Sequence, residues 1–380
     1  MIYLDSAATT LQKPSAVAKA VAQAVNTMTT PGRGGYRPAQ WAADTAFACR
    51  MAAAELFDMT EHPERVIFTS NATHALNLAI KTLVRPGERV VISGYEHNAV
   101  TRPLVALGAE TLVAQAPLFR PEVLLRQFER AITDRTAAVI CTHVSNVFGY
   151  VLPVHGIAGI CRERGVPFVL DASQSAGVLP ISCKELGADF IAMPGHKALY
   201  GPQGTGLLLC AREDVNTLLE GGTGSASALP GMPEVLPDRL EAGTHNMPGI
   251  AGLLEGLRFV KRTGLSRIRA HEERMIRMAV HLLRGMDGAA VYAAPAPGLQ
   301  TGVLSLRMDG LECELVGELL GKRGVAVRAG LHCAPLAHRT AGTFETGTIR
   351  MSVSAFTTES EVRRFAHMLR EIRRNGVQAV

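Results

Sequence analysis

The chain has 380 residues, 47% of them hydrophobic and 19% charged, with a formal net charge of +5. That is a folded globular chain, long enough for one large domain and a smaller one. The charge is too mild to mark a nucleic-acid binder, and no apolar run is long enough to span a bilayer.

Short β-rich runs alternate with helical patterns through the first two thirds. Strands are predicted over Arg65–Thr69, Arg89–Ser93, Ala137–Thr142, Val166–Leu170, Phe190–Met193 and Thr205–Cys210, with helices such as Ala72–Leu83 and Val154–Arg164 between them. Strands this apolar are buried on both faces, which predicts an α/β fold with a mostly parallel sheet wrapped by helices. Gly221–Pro237 is a long loop. From Ile250 the texture changes. Long helical patterns (Ile250–Lys261, Leu265–Met286) lead to a strand at Gly302–Arg307 and a helix at Glu312–Lys322. Strands near Val325–Arg328 and at Thr348–Val353 come next. A last helix opens on the capping box Thr358-x-x-Glu361 and carries Val362, Phe365, Leu369 and Ile372 on one face. We expect a large domain over 15–255 and a smaller α+β domain from 1–14 with 256–380. The final arginines (Arg363, Arg364, Arg370, Arg373, Arg374) have the spacing of a solvated helix face.

Met1-Ile2-Tyr3-Leu4-Asp5 has no basic start and no small-residue cleavage site. Seven cysteines form no Cys-x-x-Cys pair. Both features point to a reducing, cytoplasmic setting with no metal centre and no membrane partner, and raise the question of one reactive thiol.

One lysine stands apart. The chain has only seven lysines, and six fall on predicted helices, helix ends or surface turns. Lys197 lies in Pro194-Gly195-His196-Lys197-Ala198-Leu199-Tyr200-Gly201-Pro202, a glycine-bracketed turn between two buried strands. A lysine held there loses solvation, its pKa falls, and it can form a Schiff base.

Ligands of parallel sheets collect beyond the carboxyl ends of the strands. Reading past each predicted strand gives Ser70-Asn71-Ala72-Thr73-His74, Tyr95-Glu96-His97-Asn98, Val144-Ser145-Asn146, Asp171-Ala172-Ser173-Gln174, then His196-Lys197. Singly these are weak signals: Thr73 reads as an N-cap, and Asp171 as a helix cap. Jointly they supply what an aldehyde cofactor needs. Lys197 gives the amine, and the N–H groups of Ala72 and Thr73 cradle an anion. Asp171 offers a carboxylate to a ring nitrogen, and His97 a flat ring.

The motifs "HVSNVFG", "LDASQSAG", "GHKALYGPQGTG", "EAGTHN" and "RAGLHCAP" resemble those of the cysteine desulfurases, in the class V aminotransferase superfamily of fold type I pyridoxal-phosphate enzymes. The resemblance runs from Tyr3-Leu4-Asp5-Ser6-Ala7-Ala8-Thr9-Thr10 to Arg350-Met351-Ser352. It implies that Lys197 carries the cofactor, that His97 stacks on its ring, and that Asp171 and Gln174 meet the ring nitrogen and ring oxygen. It also implies Thr73 and His196 at the phosphate, joined by Thr244 from the other subunit of a homodimer. Asn146 and Arg350 would bind the substrate carboxylate, as suits a guanidinium fork.

Cys333 would take the sulfur of L-cysteine as a persulfide, releasing L-alanine, before passing it to an acceptor protein. His332 and Arg328 beside it are local cations that would favour its thiolate. Three positions depart from the common pattern: Leu331 replaces a histidine, Pro194 a serine, and His74 an acidic residue. A selenocysteine lyase or another aminotransferase-type enzyme is the alternative, and a lyase would not need Cys333.

Overall fold

The computed structural model describes residues 1–32 and 34–375. In chain order the strands are β1 (Ile2–Tyr3), β2 (Val66–Thr69), β3 (Arg89–Ser93), β4 (Glu110–Ala114), β5 (Thr136–Thr142), β6 (Phe168–Asp171), β7 (Phe190–Pro194), β8 (Gly206–Cys210), β9 (Ala289–Tyr292), β10 (Val303–Met308), β11 (Val325–Ala326), β12 (Arg328–Gly330) and β13 (Thr348–Ser352). The first six helices are α1 (Ser15–Thr27), α2 (Arg37–Leu56), α3 (Ala72–Leu83), α4 (Asn98–Ala106), α5 (Pro121–Ala131) and α6 (Val154–Glu163). The rest are α7 (Cys183–Leu186), α8 (Met247–Thr263), α9 (Leu265–Leu283), α10 (Cys313–Lys322), α11 (Pro335–Ala341) and α12 (Glu359–Asn375).

Seven strands form the large sheet in the order β2-β8-β7-β6-β5-β3-β4, all parallel except β8. Alternation along each strand sends side chains to two separate cores. Val91, Val139, Leu170 and Ile191 face one core. Val90, Ile92, Ala138, Ile140 and Val169 face the other, which α3 and α4 cover. With both faces buried, the strands need apolar residues at nearly every position, and this is why they stand out in the sequence.

A second sheet, β12-β13-β10-β9, is antiparallel and packs against α9, α10 and α12. The α12 stripe of Val362, Phe365, Leu369 and Ile372 is fully buried there. Its capping box forms: Glu361 Oε2 accepts the Thr358 N–H at 2.8 Å, and Thr358 Oγ1 accepts the Glu361 N–H at 3.3 Å. The start of the chain joins this unit, since β1 pairs in parallel with β11 and Asp5 bridges to Ser352.

Three expectations shift. The strand expected from Val166 begins at Phe168, because Pro167 has no N–H and contributes only its carbonyl, to Val139. The strand expected near Val325–Arg328 is two short strands serving different sheets. β4 and β9 are edge strands with little deep burial, so neither shows as an apolar run.

Glu272 of α9 is 4% exposed, and burial alone pushes its carboxyl up to about 8. A raised carboxyl stabilises the fold fully below the unfolded value near 4.5, and that contribution is lost as pH rises through about 8. Glu272→Gln is therefore expected to flatten the fall of Tm across this interval. An unchanged slope in calorimetry would contradict the assignment.

Candidate active site

The lysine turn is closed by its own backbone. The Gly195 N–H donates to Thr205 O at 2.8 Å, Gly201 to Gly195 O at 2.8 Å, and Tyr200 to Lys197 O at 2.9 Å. Tyr200 takes a left-handed φ of 56°. Its ring meets Phe259 and Phe356 edge-on, and its hydroxyl accepts the Ala355 N–H at 3.0 Å. A Cβ on Gly177 would overlap the Ala198 carbonyl, and one on Gly256 the Leu199 carbonyl. Two glycines thus let neighbouring segments close onto the turn. Burial pushes the Lys197 ammonium down to about 8, with the Asp171 charge pulling the other way. At neutral pH the amine sits close to losing its proton.

Lys197 is not alone in this. Lys13, expected on a surface turn or helix end, is also pushed down to about 8 by burial. Its Nζ donates to Thr10 O at 2.8 Å and His196 O at 3.1 Å. Thr9 Oγ1 lies 3.0 Å from His196 Nδ1. The opening segment therefore braces the active turn, a role its sequence motif does not reveal.

Around the amine stand the expected partners. Asp171, at the end of β6, is 2% exposed. Its Oδ1 accepts the Ser173 N–H at 2.9 Å, and no helix begins there for it to cap. His97 is the N-cap of α4, with Nδ1 accepting the Ala99 N–H at 3.0 Å. Burial and then the Lys197 charge hold His97 down to about 4, so its ring is neutral. Gln174 Nε2 donates to Ala7 O at 2.9 Å. At α3 the N-cap is Asn71, whose side chain accepts the His74 N–H at 2.9 Å. Thr73, read singly as that cap, is instead the second residue of the helix. The N–H groups of Ala72 and Thr73, in the first turn, carry no intrahelical bond, and both residues line a cavity beside Lys197.

Arg350 lies deeper, 2% exposed. It donates to Asn146 O at 3.0 Å and to Asp5 Oδ1 at 2.9 Å, while its Nε is buried without a partner among the described residues. A guanidinium has five N–H donors, so a face of this one remains for a ligand. Arg328 shares Asp5, with Nε and Nη2 at 3.1 and 3.0 Å from Oδ2.

Cys333 is the exposed cysteine; Cys183 is half-buried and the other five are buried. It follows His332, and both have left-handed φ, 50° and 55°. The carbonyls hold the turn: Asn146 Nδ2 donates to His332 O at 2.8 Å, and the Asn98 N–H donates to Cys333 O at 2.8 Å. His332 is not the cation expected beside the thiol. Burial, with Arg350 and His338 nearby, drives its pKa down to about 2, and its Nε2 faces Thr348. Arg328 is paired with Asp5.

These groups border one space. One cavity is lined by Ala72, Thr73, His97, Asp171, Gln174, His196 and Lys197. A wider one runs on through Asn146, His196 and Lys197 to Cys333 and Arg350. Thr244 lies outside both, exposed in the 241–246 segment, where it lines a separate cleft with Ser70 and Gly204. Pro194 lines the smaller cavity, where a serine would have offered a hydroxyl.

The Aminotransferase class-V family profile matches residues 2–365. A probable cysteine desulfurase of Methanothermobacter thermautotrophicus is 31% identical, the match covering 98% of this chain and 94% of that protein. A probable cysteine desulfurase of Mycolicibacterium paratuberculosis is 33% identical over 99% of this chain, which spans 56% of that longer protein. Among solved structures, the apo cysteine desulfurase of Thermococcus onnurineus superposes with a TM-score of 0.91 at 29% identity, covering 98% of this chain and 95% of that one. A cysteine desulfurase of Escherichia coli, solved as an S-sulfonic acid, gives 0.86 at 25% identity, with 98% and 95% covered. With its mostly parallel sheet and its helix-covered faces, this chain belongs to the class-V aminotransferase family.

Proposed function

We propose that the chain is a pyridoxal-phosphate-dependent cysteine desulfurase, forming L-alanine from L-cysteine and leaving the sulfur on Cys333. One observation carries the reading: the exposed thiol of Cys333 and the desolvated amine of Lys197 border the same cavity. The residues fit the cofactor. An amine pushed down to about 8, a buried carboxylate, a neutral imidazole and the free N–H groups of a helix N-terminus meet around one cavity.

Lys197 would hold the cofactor covalently, with Asp171 at the ring nitrogen, His97 on the ring face and Gln174 at the ring oxygen. Ala72, Thr73 and His196 would hold the phosphate. Bound there, pyridoxal phosphate supplies the electron sink that makes a substrate Cα–H acidic.

The chain's own groups do the rest. Arg350, with its unused N–H donors, and Asn146 receive the substrate carboxylate and fix the side chain toward Cys333. Lys197, close to its deprotonated form, takes the α-proton and holds it within the cavity. Cys333 Sγ attacks the substrate sulfur. An S–S bond forms as the Cβ–S bond breaks, and that electron pair stays with the alanine fragment. The proton given up by the Cys333 thiol balances the new methyl group. Enzyme thiol and cysteine thus become enzyme persulfide and alanine, with no outside oxidant. The sulfur then passes to an acceptor protein, and the rigid, exposed turn suits a partner that comes to it.

We also propose a division into 15–255 and 1–14 with 256–380. The pairing of β1 with β11, and of Asp5 with Ser352, supports assigning the opening segment to the second unit. No helix of the described residues is long and apolar enough to cross a membrane. Seven free cysteines suit a reducing, cytoplasmic setting.

A C2 homodimer completes the proposal, with Thr244 contributed across the interface to its partner's phosphate site. The exposed side chains of Tyr36, Trp41 and Phe47 support a covered face. Sedimentation is expected to give a dimer, and Thr244→Ala to weaken cofactor retention. A fully active monomer would contradict both.

The decisive variant is Cys333→Ser. It is expected to keep the cofactor and bind L-cysteine, yet to release no alanine, because a hydroxyl cannot take the sulfur. Alanine formed from L-cysteine at the wild-type rate would overturn the desulfurase reading. Alanine formed from L-selenocysteine alone would favour a lyase.

A further inference from the structure

The chain leaves β3 at Ser93 and within a few residues delivers two groups to the site. His97 lines the smaller cavity, and the Asn98 N–H holds Cys333 O at 2.8 Å. Most ties of this connection run away from β5. The Gly94 N–H donates to Ala114 O at 2.8 Å, and the Tyr95 hydroxyl to Ala116 O at 2.7 Å. The Thr340 hydroxyl donates to Gly94 O at 2.8 Å. Glu96 reaches the opposite neighbour.

β3 and β5 are paired in register as far as Ile92 and Ile140. Along β5 the Val139 and His143 N–H groups donate to Pro167 O and Asp171 O, both on the β6 side. Alternation therefore turns the Thr142 N–H toward β3, two residues beyond the last pair, where a continuing strand would offer a carbonyl. Glu96 Oε1 accepts it instead, at 2.8 Å. The same oxygen accepts the Ser93 hydroxyl, and Ser93 Oγ in turn accepts the Tyr95 N–H at 3.1 Å. One side chain thus stands in for a missing length of strand and lets the backbone turn out of the sheet. Glu96 and Ser93 are fully buried, and Thr142 lines the same cavity as His97.

The other oxygen, Glu96 Oε2, is buried without a partner among the described residues. An anion is unfavourable in that setting, and burial pushes the carboxyl up to about 8. Near neutrality Glu96 therefore works through an accepting oxygen and not through charge.

We propose that Glu96 is a positioning residue: by capping the Thr142 N–H it sets the β3–α4 connection in register with β5, and so places His97 at the cofactor and Asn98 against the Cys333 carbonyl. Its bearing on catalysis rests on the proposed roles of His97 and Cys333; the capping of Thr142 does not.

The test compares Glu96→Met, which fills the space without an acceptor, with Glu96→Gln, which keeps an acceptor of the same reach. Hydrogen exchange resolved to the Thr142 amide in the purified protein reads the cap. The visible circular dichroism of bound pyridoxal phosphate reads the seating of its ring, and alanine release from L-cysteine reads turnover. Glu96→Met is expected to speed exchange at Thr142 roughly tenfold, the worth of one net hydrogen bond, while the amides of β13 stay as in wild type. It is also expected to weaken the dichroism per bound cofactor and to lower kcat about tenfold or more, as a misplaced reacting group does. Glu96→Gln is expected to stay within about twofold of wild type in every readout. Ser93→Ala removes the hydroxyl that donates to Glu96 Oε1. It should shift the readouts in the direction of Glu96→Met, and it decides the matter if that variant does not fold. Wild-type Thr142 exchange or wild-type dichroism in Glu96→Met would overturn the proposal. So would equal defects in Met and Gln, or exchange sped equally across β13. A wild-type protein that binds no pyridoxal phosphate would instead remove the cofactor reading and leave the Thr142 result standing.

Discussion

The site depends on a buried guanidinium. Arg350 is almost wholly enclosed, and a charge taken out of water is tolerated only with a well-placed counter-charge. Asp5 provides it, and divides its two oxygens between Arg350 and Arg328. Removing one partner of such a buried pair typically costs about 3–5 kcal/mol, because the other is left uncompensated. Asp5 must therefore stay where it is. It stays because residues 2 to 5 are hydrogen-bonded to β11 and β13. The first residues of the chain are thus structural parts of a site whose other members lie up to 345 positions away.

From that constraint the electrostatics of the cavity emerge. Arg350 and Arg328 add positive potential around Lys197, on top of the dominant effect of burial, while Asp171 and Asp5 oppose it. The balance leaves the amine near its titration point, where it can give and take a proton at neutral pH. His97 and His196 beside it are held neutral, both down to about 4, by burial first and then by Lys197. Glu96, under the β3–α4 connection, is pushed up to about 8 by burial and so adds no second negative charge behind Asp171. The cavity keeps its charges few and assigned.

Much of this is legible from residue order alone. A strand buried on both faces declares itself as a run such as Arg89–Ser93, and the residues just past its carboxyl end are displayed to the ligand. Lys197, Asp171, His97, Asn146 and the start of α3 can therefore be collected by reading past five strands. Arg350 and Cys333 need the family motifs as well, since their strand and turn belong to the second sheet. The alanine-rich buried face of α2 gives little amphipathic contrast, and the edge strands β4 and β9 give no apolar run. Tertiary charge pairing is the part that residue order conceals. Nothing local marks Asp5 as the counter-ion of Arg350, or Lys13 as a clamp on the carbonyl before Lys197. The misreading of His332 has the same origin: adjacency to a cysteine suggests a cation, whereas its ring turns inward and is held neutral by burial.

In the proposed reaction sulfur leaves the substrate for one particular thiol, and that transfer can be observed directly. Its most direct measurement is the peptide mass spectrum of the wild-type enzyme after one turnover with sulfur-labelled L-cysteine and no reductant. A single labelled sulfur atom is expected on the peptide containing His332-Cys333, in amounts equal to the alanine formed. Alanine without that labelled persulfide, or label on one of the buried cysteines, would contradict it.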